Sequence, residues 1–175
     1  MKRRIFFVVL GVLVAVGLTA TVALAGHPVF DASKAPSGTH VQSGTPGCSV
    51  VGLTITCASF EVAGVGNANA QADLTASYSA TVDCTNKGGK LVPVKSQGVP
   101  AGDSSGQIEP KNGRLTVPQL SVSAPSTQAF LDAAICPNGN WTKSLAPGDP
   151  TLDSFTYTVT FAGFAPAWLT ITSPH

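Results

Sequence analysis

The chain has 175 residues, only 11% of them charged, and its ten basic and nine acidic side chains give a formal net charge of +1. That length suits one domain with a core of its own. Without Lys2, Arg3 and Arg4, seven basic residues remain against nine acidic ones. The net charge is then about −2, no basic surface is left to condense on phosphates, and nucleic acid is excluded as a partner.

Those three basic residues open the chain, and an apolar run over residues 5–18 follows them. Ala23-Leu24-Ala25 then supplies the small-x-small pattern that signal peptidase admits. Residues 1–25 therefore read as a secretory signal peptide cleaved after Ala25. The alternative is an uncleaved anchor, because residues 5–25 are long and apolar enough to span a bilayer. The Arg3-Arg4 pair only weakly echoes a twin-arginine signal, and the general secretion route is preferred. No cysteine follows the apolar run to carry a lipid.

Residues 26–47 are rich in Gly, Pro, Ser and Thr and read as a flexible N-terminal arm, with a short strand at Val29-Phe30. Residues 48–175 read as the folded domain. It opens on "CSVVGLTITC". With Gly52-Leu53 at the turn, Cys48 faces Cys57, Ser49 faces Thr56, Val50 faces Ile55 and Val51 faces Thr54. Glycine at the first turn position suits a type II′ hairpin. The two cysteines then fall on a non-hydrogen-bonded pair, where side chains approach most closely, and a disulfide is expected. Neither a C-x-x-C motif nor a neighbouring histidine supports a metal or redox pair.

The segment "ADLTASYSATVDC" alternates strictly. Leu74, Ala76, Tyr78, Ala80, Val82 and Cys84 share one face, and Asp73, Thr75, Ser77, Ser79, Thr81 and Asp83 the other. This is a strand of an antiparallel sheet with one wet side. In the Gly/Pro/Lys-rich stretch that follows, a short edge strand is expected over 90–95, limited by Pro93, and a mobile loop over 98–106. "RLTVPQLSV" reads as a strand broken at Pro118. "STQAFLDAAIC" reads as a turn or two of helix capped by Ser126 or Thr127. Two more alternating strands follow in "DSFTYTVTFAG" and "AWLTITS". About seven strands with turns between them predict an all-β, antiparallel β-sandwich, with a small β-barrel as the alternative.

Four cysteines allow three pairings, and the hairpin register leaves Cys84 with Cys136. The stretches "VDCTNKGG" at 82–89 and "CPNGNWT" at 136–142 carry a resemblance. Here the chain is similar to a group of small exported actinobacterial proteins that share V-x-C-T-N-x-G-G and C-P-N-x-N-W segments and have no assigned activity. The resemblance implies secretion and the same Cys84–Cys136 pairing, and it brings no catalytic residues.

Chemistry is sparse. No G-x-S-x-G elbow accompanies the three histidines His27, His40 and His175. His27 next to the mature N-terminus would chelate copper only with a further ligand, for which His40 is the candidate. "NKGGK" lacks the pattern of a phosphate loop. Asp73 and Asp83 lie roughly 33 Å apart along one strand, too far to act as a pair. Asn140-Trp141-Thr142 matches an N-glycosylation pattern, and Trp141 reads as a plug at the core rim. The expectation is a secreted, non-enzymatic binding or structural module of the cell envelope or exterior, with no catalytic, cofactor or metal residues. Its partner would be an extracellular protein or a glycan, and it would meet a membrane only through an uncleaved leader. The alternatives are an extracellular protease inhibitor presenting the loop after Cys136, and a copper-binding protein using His27.

Overall fold

A computed structural model describes residues 23–173, so residues 1–22 of the expected signal peptide lie outside the described residues. The described chain is all-β and antiparallel, with two disulfides and one short helix. In chain order the strands are β1 (Ala23–Ala25), β2 (Val29–Phe30), β3 (His40–Ser43), β4 (Cys48–Val51), β5 (Thr54–Cys57), β6 (Phe60–Ala63), β7 (Ala70–Thr85), β8 (Leu91–Ile108), β9 (Arg114–Val117), β10 (Leu120–Ser123), β11 (Thr142–Leu145), β12 (Thr151–Phe161) and β13 (Phe164–Thr172). The helix α1 (Thr127–Ala133) precedes β11.

Thirteen strands among the described residues, rather than about seven, arise mainly because long strands are broken. Pairing of β5 with β10 runs from Thr54↔Ser123 to Cys57↔Leu120. It skips Ala58-Ser59 opposite Pro118-Gln119 and resumes at Phe60↔Val117 without a shift of register. Pro118 has no N–H for the ladder, and the Ser59 hydroxyl fills in by donating to the Val117 carbonyl at 2.8 Å. On the other side β3 pairs with β6 and β4 with β5, and the Ala58 N–H reaches the Gly47 carbonyl across the gap at 2.9 Å. These two short sheets, β1-β4-β5-β10 and β3-β6-β9, continue each other in register and are taken together as the first layer.

The second layer is built on β7. One side of β7 carries β8 along its whole length; the other carries β12 over Ala70 to Ser79 and β11 over Val82 to Thr85. Beyond β12 come β13 and β2. Between β11 and β12 the connecting loop replaces a strand. Ala146 donates to the Thr81 carbonyl at 3.0 Å, and the Asp149 carboxylate accepts from the Thr81 N–H at 2.9 Å. Ser79, buried, donates to Asp153 at 2.6 Å and so pins the extra residue by which β12 slips its register there.

The core lies between the layers. From β7 the inward residues Ala72, Leu74, Ala76, Tyr78, Ala80 and Val82 are buried, as the alternation predicts. All of these but Val82 join one core cluster with Ile55, Val62 and Val117 of the first layer, beside Tyr157, Phe161, Leu169 and Ile171 of the second. Fully burying a large apolar side chain is worth about 1.5–3 kcal/mol, so this set supplies the main driving force.

Two expectations are corrected. The stretch 98–106 is not a loop: it lies within β8, paired to β7. Between Tyr78↔Val99 and Ala80↔Ser96, and again between Gln71↔Gln107 and Asp73↔Ser104, β8 takes three steps for two in β7. The glycines that suggested a loop, Gly98 at φ 65° and Gly106 at φ 62°, belong to these bulges, where a left-handed residue is needed. Pro93 and Pro100 are tolerated because β8 has a ladder neighbour on one side only.

Likewise, residues 26–47 are built into both layers instead of standing apart as an arm. Val29 and Phe30 pair with Thr170 and Leu169, a 3-10 turn over Ala32–Lys34 follows, and β3 pairs with β6. Hydrogen bonds from the Ser33 hydroxyl and N–H hold the Asp31 carboxyl below the usual carboxylate range. Ala23-Leu24-Ala25, the expected cleavage tripeptide, forms β1 along β4. No helix among the described residues is long and apolar enough to cross a membrane.

Candidate functional site

The hairpin forms as its sequence predicts. All four register pairs are present, Gly52 has φ 58°, and Cys48 and Cys57 are bridged with their Cα atoms 4.0 Å apart. This disulfide is buried and structural.

The second disulfide, Cys84–Cys136, joins the end of β7 to the segment after α1 across a Cα separation of 5.8 Å. Cys84 is fully buried and Cys136 half-buried. Around it the two short stretches singled out in the sequence come together. The turn after β7 closes through the Asn86 N–H on the Lys90 carbonyl and the Gly89 N–H on the Asn86 carbonyl, both 3.0 Å. Inside it the Asn86 Oδ1 accepts from the N–H groups of Gly88 and Lys90, each at 2.9 Å. The loop after Cys136 has a matching device, in which the Asn138 Oδ1 accepts from the Asn140 N–H at 3.1 Å. These side-chain-to-backbone bonds are what asparagine offers a turn, and they fix both carboxamide planes.

Asn86, Lys87, Gly88, Asn138, Asn140 and Trp141 line a recess of about 310 Å³ between the turn and the loop. Trp141 is half-buried and Lys87 is exposed. Immediately after the loop, β11 returns to β7, and the Thr142 hydroxyl donates to the Thr85 carbonyl at 3.1 Å. The recess is thus held at three points: the disulfide, the β11–β7 ladder and the turn. Its lining offers three carboxamides, one ammonium and one indole, and no carboxylate.

The helix beneath is short but capped at both ends. Ser126 accepts from the Ala129 N–H at its start, as expected from the sequence. At its end Lys143 donates to the carbonyls of Leu131 at 2.7 Å and Ala134 at 2.8 Å. Phe130 anchors the helix in the core, and the Ser96 hydroxyl donates to its carbonyl at 2.7 Å.

The other marked residues fall apart from one another. His27 is exposed on a cleft of about 470 Å³ whose other lining residues, Gly26, Pro28, the segment Thr45 to Cys48, and Ala58, include no second histidine. His40 sits on β3, with its ring nitrogens against the Gly38 carbonyl at 2.8 Å and the Gln42 side chain at 3.3 Å. Among the described residues no group of three or more His, Cys, Asp or Glu converges. Asp73 is engaged by Gln71, which donates to its two oxygens at 2.8 and 3.1 Å. That pair lines a groove of about 420 Å³ at the start of β7, together with Asn69, Gln107 and Thr160. Trp168, not Trp141, is the tryptophan of the core: it is 3% exposed and packs on Phe30 and Phe161.

No family model, no curated protein and no solved structure matches the chain.

Proposed function

We propose that this protein is an exported, disulfide-stapled binding module that holds an extracellular or envelope ligand in the Asn86–Trp141 recess and does no chemistry on it. One observation carries the reading. The Cys84–Cys136 bridge ties two turns, each stiffened by its own asparagine, into a recess lined by a half-buried tryptophan. Preorganised polar groups beside an aromatic surface lower the ordering cost of binding. Export is supported by the basic, apolar and small-x-small series at the start of the chain and by two disulfides, which persist in oxidising compartments.

The test is co-sedimentation of the oxidised mature protein with an insoluble cell-envelope fraction. Retention of the wild type and release of Trp141→Ala are expected. Equal partition of the two sinks the reading.

A second reading, an inhibitor of extracellular proteases, is favoured by a single feature. Ile135 is 87% exposed directly before the bridged Cys136, as a projecting loop on a fixed base would place it. Titration against a panel of serine proteases decides it, and no inhibition at micromolar protein removes it.

A further inference from the structure

We infer that the ligand of the recess is a glycan, bound through one pyranose ring lying on the Trp141 indole with its hydroxyls on the Asn86, Asn138 and Asn140 carboxamides. This inference rests on the binding-module reading and gives its ligand a chemical class.

The lining chemistry selects among ligand classes. A carboxamide offers a donor and an acceptor side by side, which matches a pair of neighbouring sugar hydroxyls. In Asn86 and Asn138 the oxygen already accepts backbone N–H groups, so each amide plane is set before a ligand arrives. Their NH₂ groups are then ready donors for hydroxyl oxygens. Asn140 enters the recess with only its backbone N–H engaged by Asn138, so its amide supplies both a donor and an acceptor. The indole face is electron-rich, and it attracts the weakly positive C–H face of a pyranose.

Other ligand classes fit less well. A phosphorylated ligand calls for several cations, and Lys87 is the sole charged side chain of the lining. An extended peptide docks by adding to an open strand edge or filling an apolar groove. This recess lies between a turn and a loop, and its lining is mostly polar.

The two tryptophans make the test direct. Trp168 is buried on Phe30 and Phe161 and reports the core, whereas Trp141 reports the recess. The oxidised protein is titrated with mannotriose, cellotriose and laminaritriose, up to about 10 mM each, the weak end of useful affinity. A saturable emission change is expected with at least one of them. Calorimetry with the same sugar should show binding about tenfold weaker in Trp141→Ala. Asn140→Ala should weaken it several-fold with unchanged unfolding, which keeps the test valid if Trp141→Ala folds poorly. No saturable change with any of the three sugars overturns the glycan, as does equal affinity in both variants. Envelope retention that still depends on Trp141 would then leave the binding-module reading standing with another ligand class.

Discussion

The Tyr78 hydroxyl, at the middle of β7, donates to the carbonyl of Leu53 at the tip of the β4–β5 hairpin, 2.9 Å away and across the core. It is a hydrogen bond that spans the two layers, and it fixes where the hairpin tip rests on the opposite sheet. Tyr157, also buried, has a hydroxyl with no partner among the described residues. Opposite outcomes follow for the same substitution. Tyr78→Phe keeps the ring and loses the bond, and should cost about 1 kcal/mol. Tyr157→Phe removes a desolvated, unpaired hydroxyl and should be neutral or stabilising. Urea denaturation of the two variants, compared at equal m-value, checks the contrast.

The same two phenols predict an alkaline limb of stability. Burial pushes both the Tyr78 and the Tyr157 hydroxyl above their ordinary ionisation range near pH 10, Tyr157 by far the more. A group whose pKa is raised in the fold stabilises fully below its unfolded value, and that stability is lost as pH climbs towards the folded value. The tyrosines should therefore leave stability flat up to about pH 10. Above it each unit of pH should cost about 1.4 kcal/mol through Tyr157 alone. Fast denaturant midpoints from pH 9 to 11.5 should show that fall, and a shallower one in Tyr157→Phe. An identical slope in the variant would contradict this assignment.

Particular residues show why some of this structure is legible in the sequence and some is not. The Cys48–Cys57 hairpin is local, and three independent constraints agree on one register: glycine at the turn, alternation and cysteine opposition. β7 declares itself by period two over most of its length. β8 declares only its start, the edge strand expected over 90–95; beyond that its strand character comes from the ladder to β7 and not from any alternation of its own. Its Gly98, Gly106, Pro93 and Pro100 carry the composition of a loop while serving bulges and an open edge. Of the two strands within residues 26–47, Val29-Phe30 is legible and forms β2, whereas β3 (His40–Ser43) is hidden in the same way. At the recess, both stretches and the bridge between them can be read from the sequence. That Trp141 comes to share a recess with Asn86 depends on β11 (Thr142–Leu145), four residues with no alternation signal of their own.

The two disulfides should separate by experiment. On the chain-entropy view, removing the Cys48–Cys57 bridge, which closes a short hairpin loop, costs somewhat under about 3 kcal/mol. Removing Cys84–Cys136, with its sequence separation of 52, costs about 4 kcal/mol. Paired serine variants test the ranking. Only the second should also free the recess loop, so Trp141 emission should shift to the red below the unfolding transition while the first variant keeps the native spectrum.

Two glycines at positive φ should respond differently to alanine. At Gly64, φ 76°, an added Cβ would run into the backbone carbonyl of Gly38, where neither chain can give way cheaply. At Gly98, φ 65°, the added Cβ would meet open space. Gly98→Ala should cost only the left-handed penalty, about 1–2 kcal/mol. Gly64→Ala adds a backbone clash to the same penalty and should be the more destabilising, to the point of poor recovery of folded protein. Thermal midpoints of the two variants decide it, and equal losses would mean that the packing of residue 64 on residue 38 matters little.

Lys143 offers the sharpest local test. Its backbone is set in β11 opposite Cys84, so its side chain starts from a fixed place. From there the ammonium donates to the carbonyls of Leu131 and Ala134, groups that the end of α1 leaves without helical partners. A cation there also opposes the negative end of the helix. Lys143→Met keeps the aliphatic stem and removes the donors. The side chain is exposed, so the loss of global stability should be small, about 0.5–1 kcal/mol. The local effect should be larger in proportion. The Ala134 N–H bonds to the Phe130 carbonyl in the last turn, and its hydrogen exchange should quicken while the amides of β7 keep their protection. Equal acceleration in α1 and β7 would mean that the substitution acts through the whole fold and that the lysine is no cap.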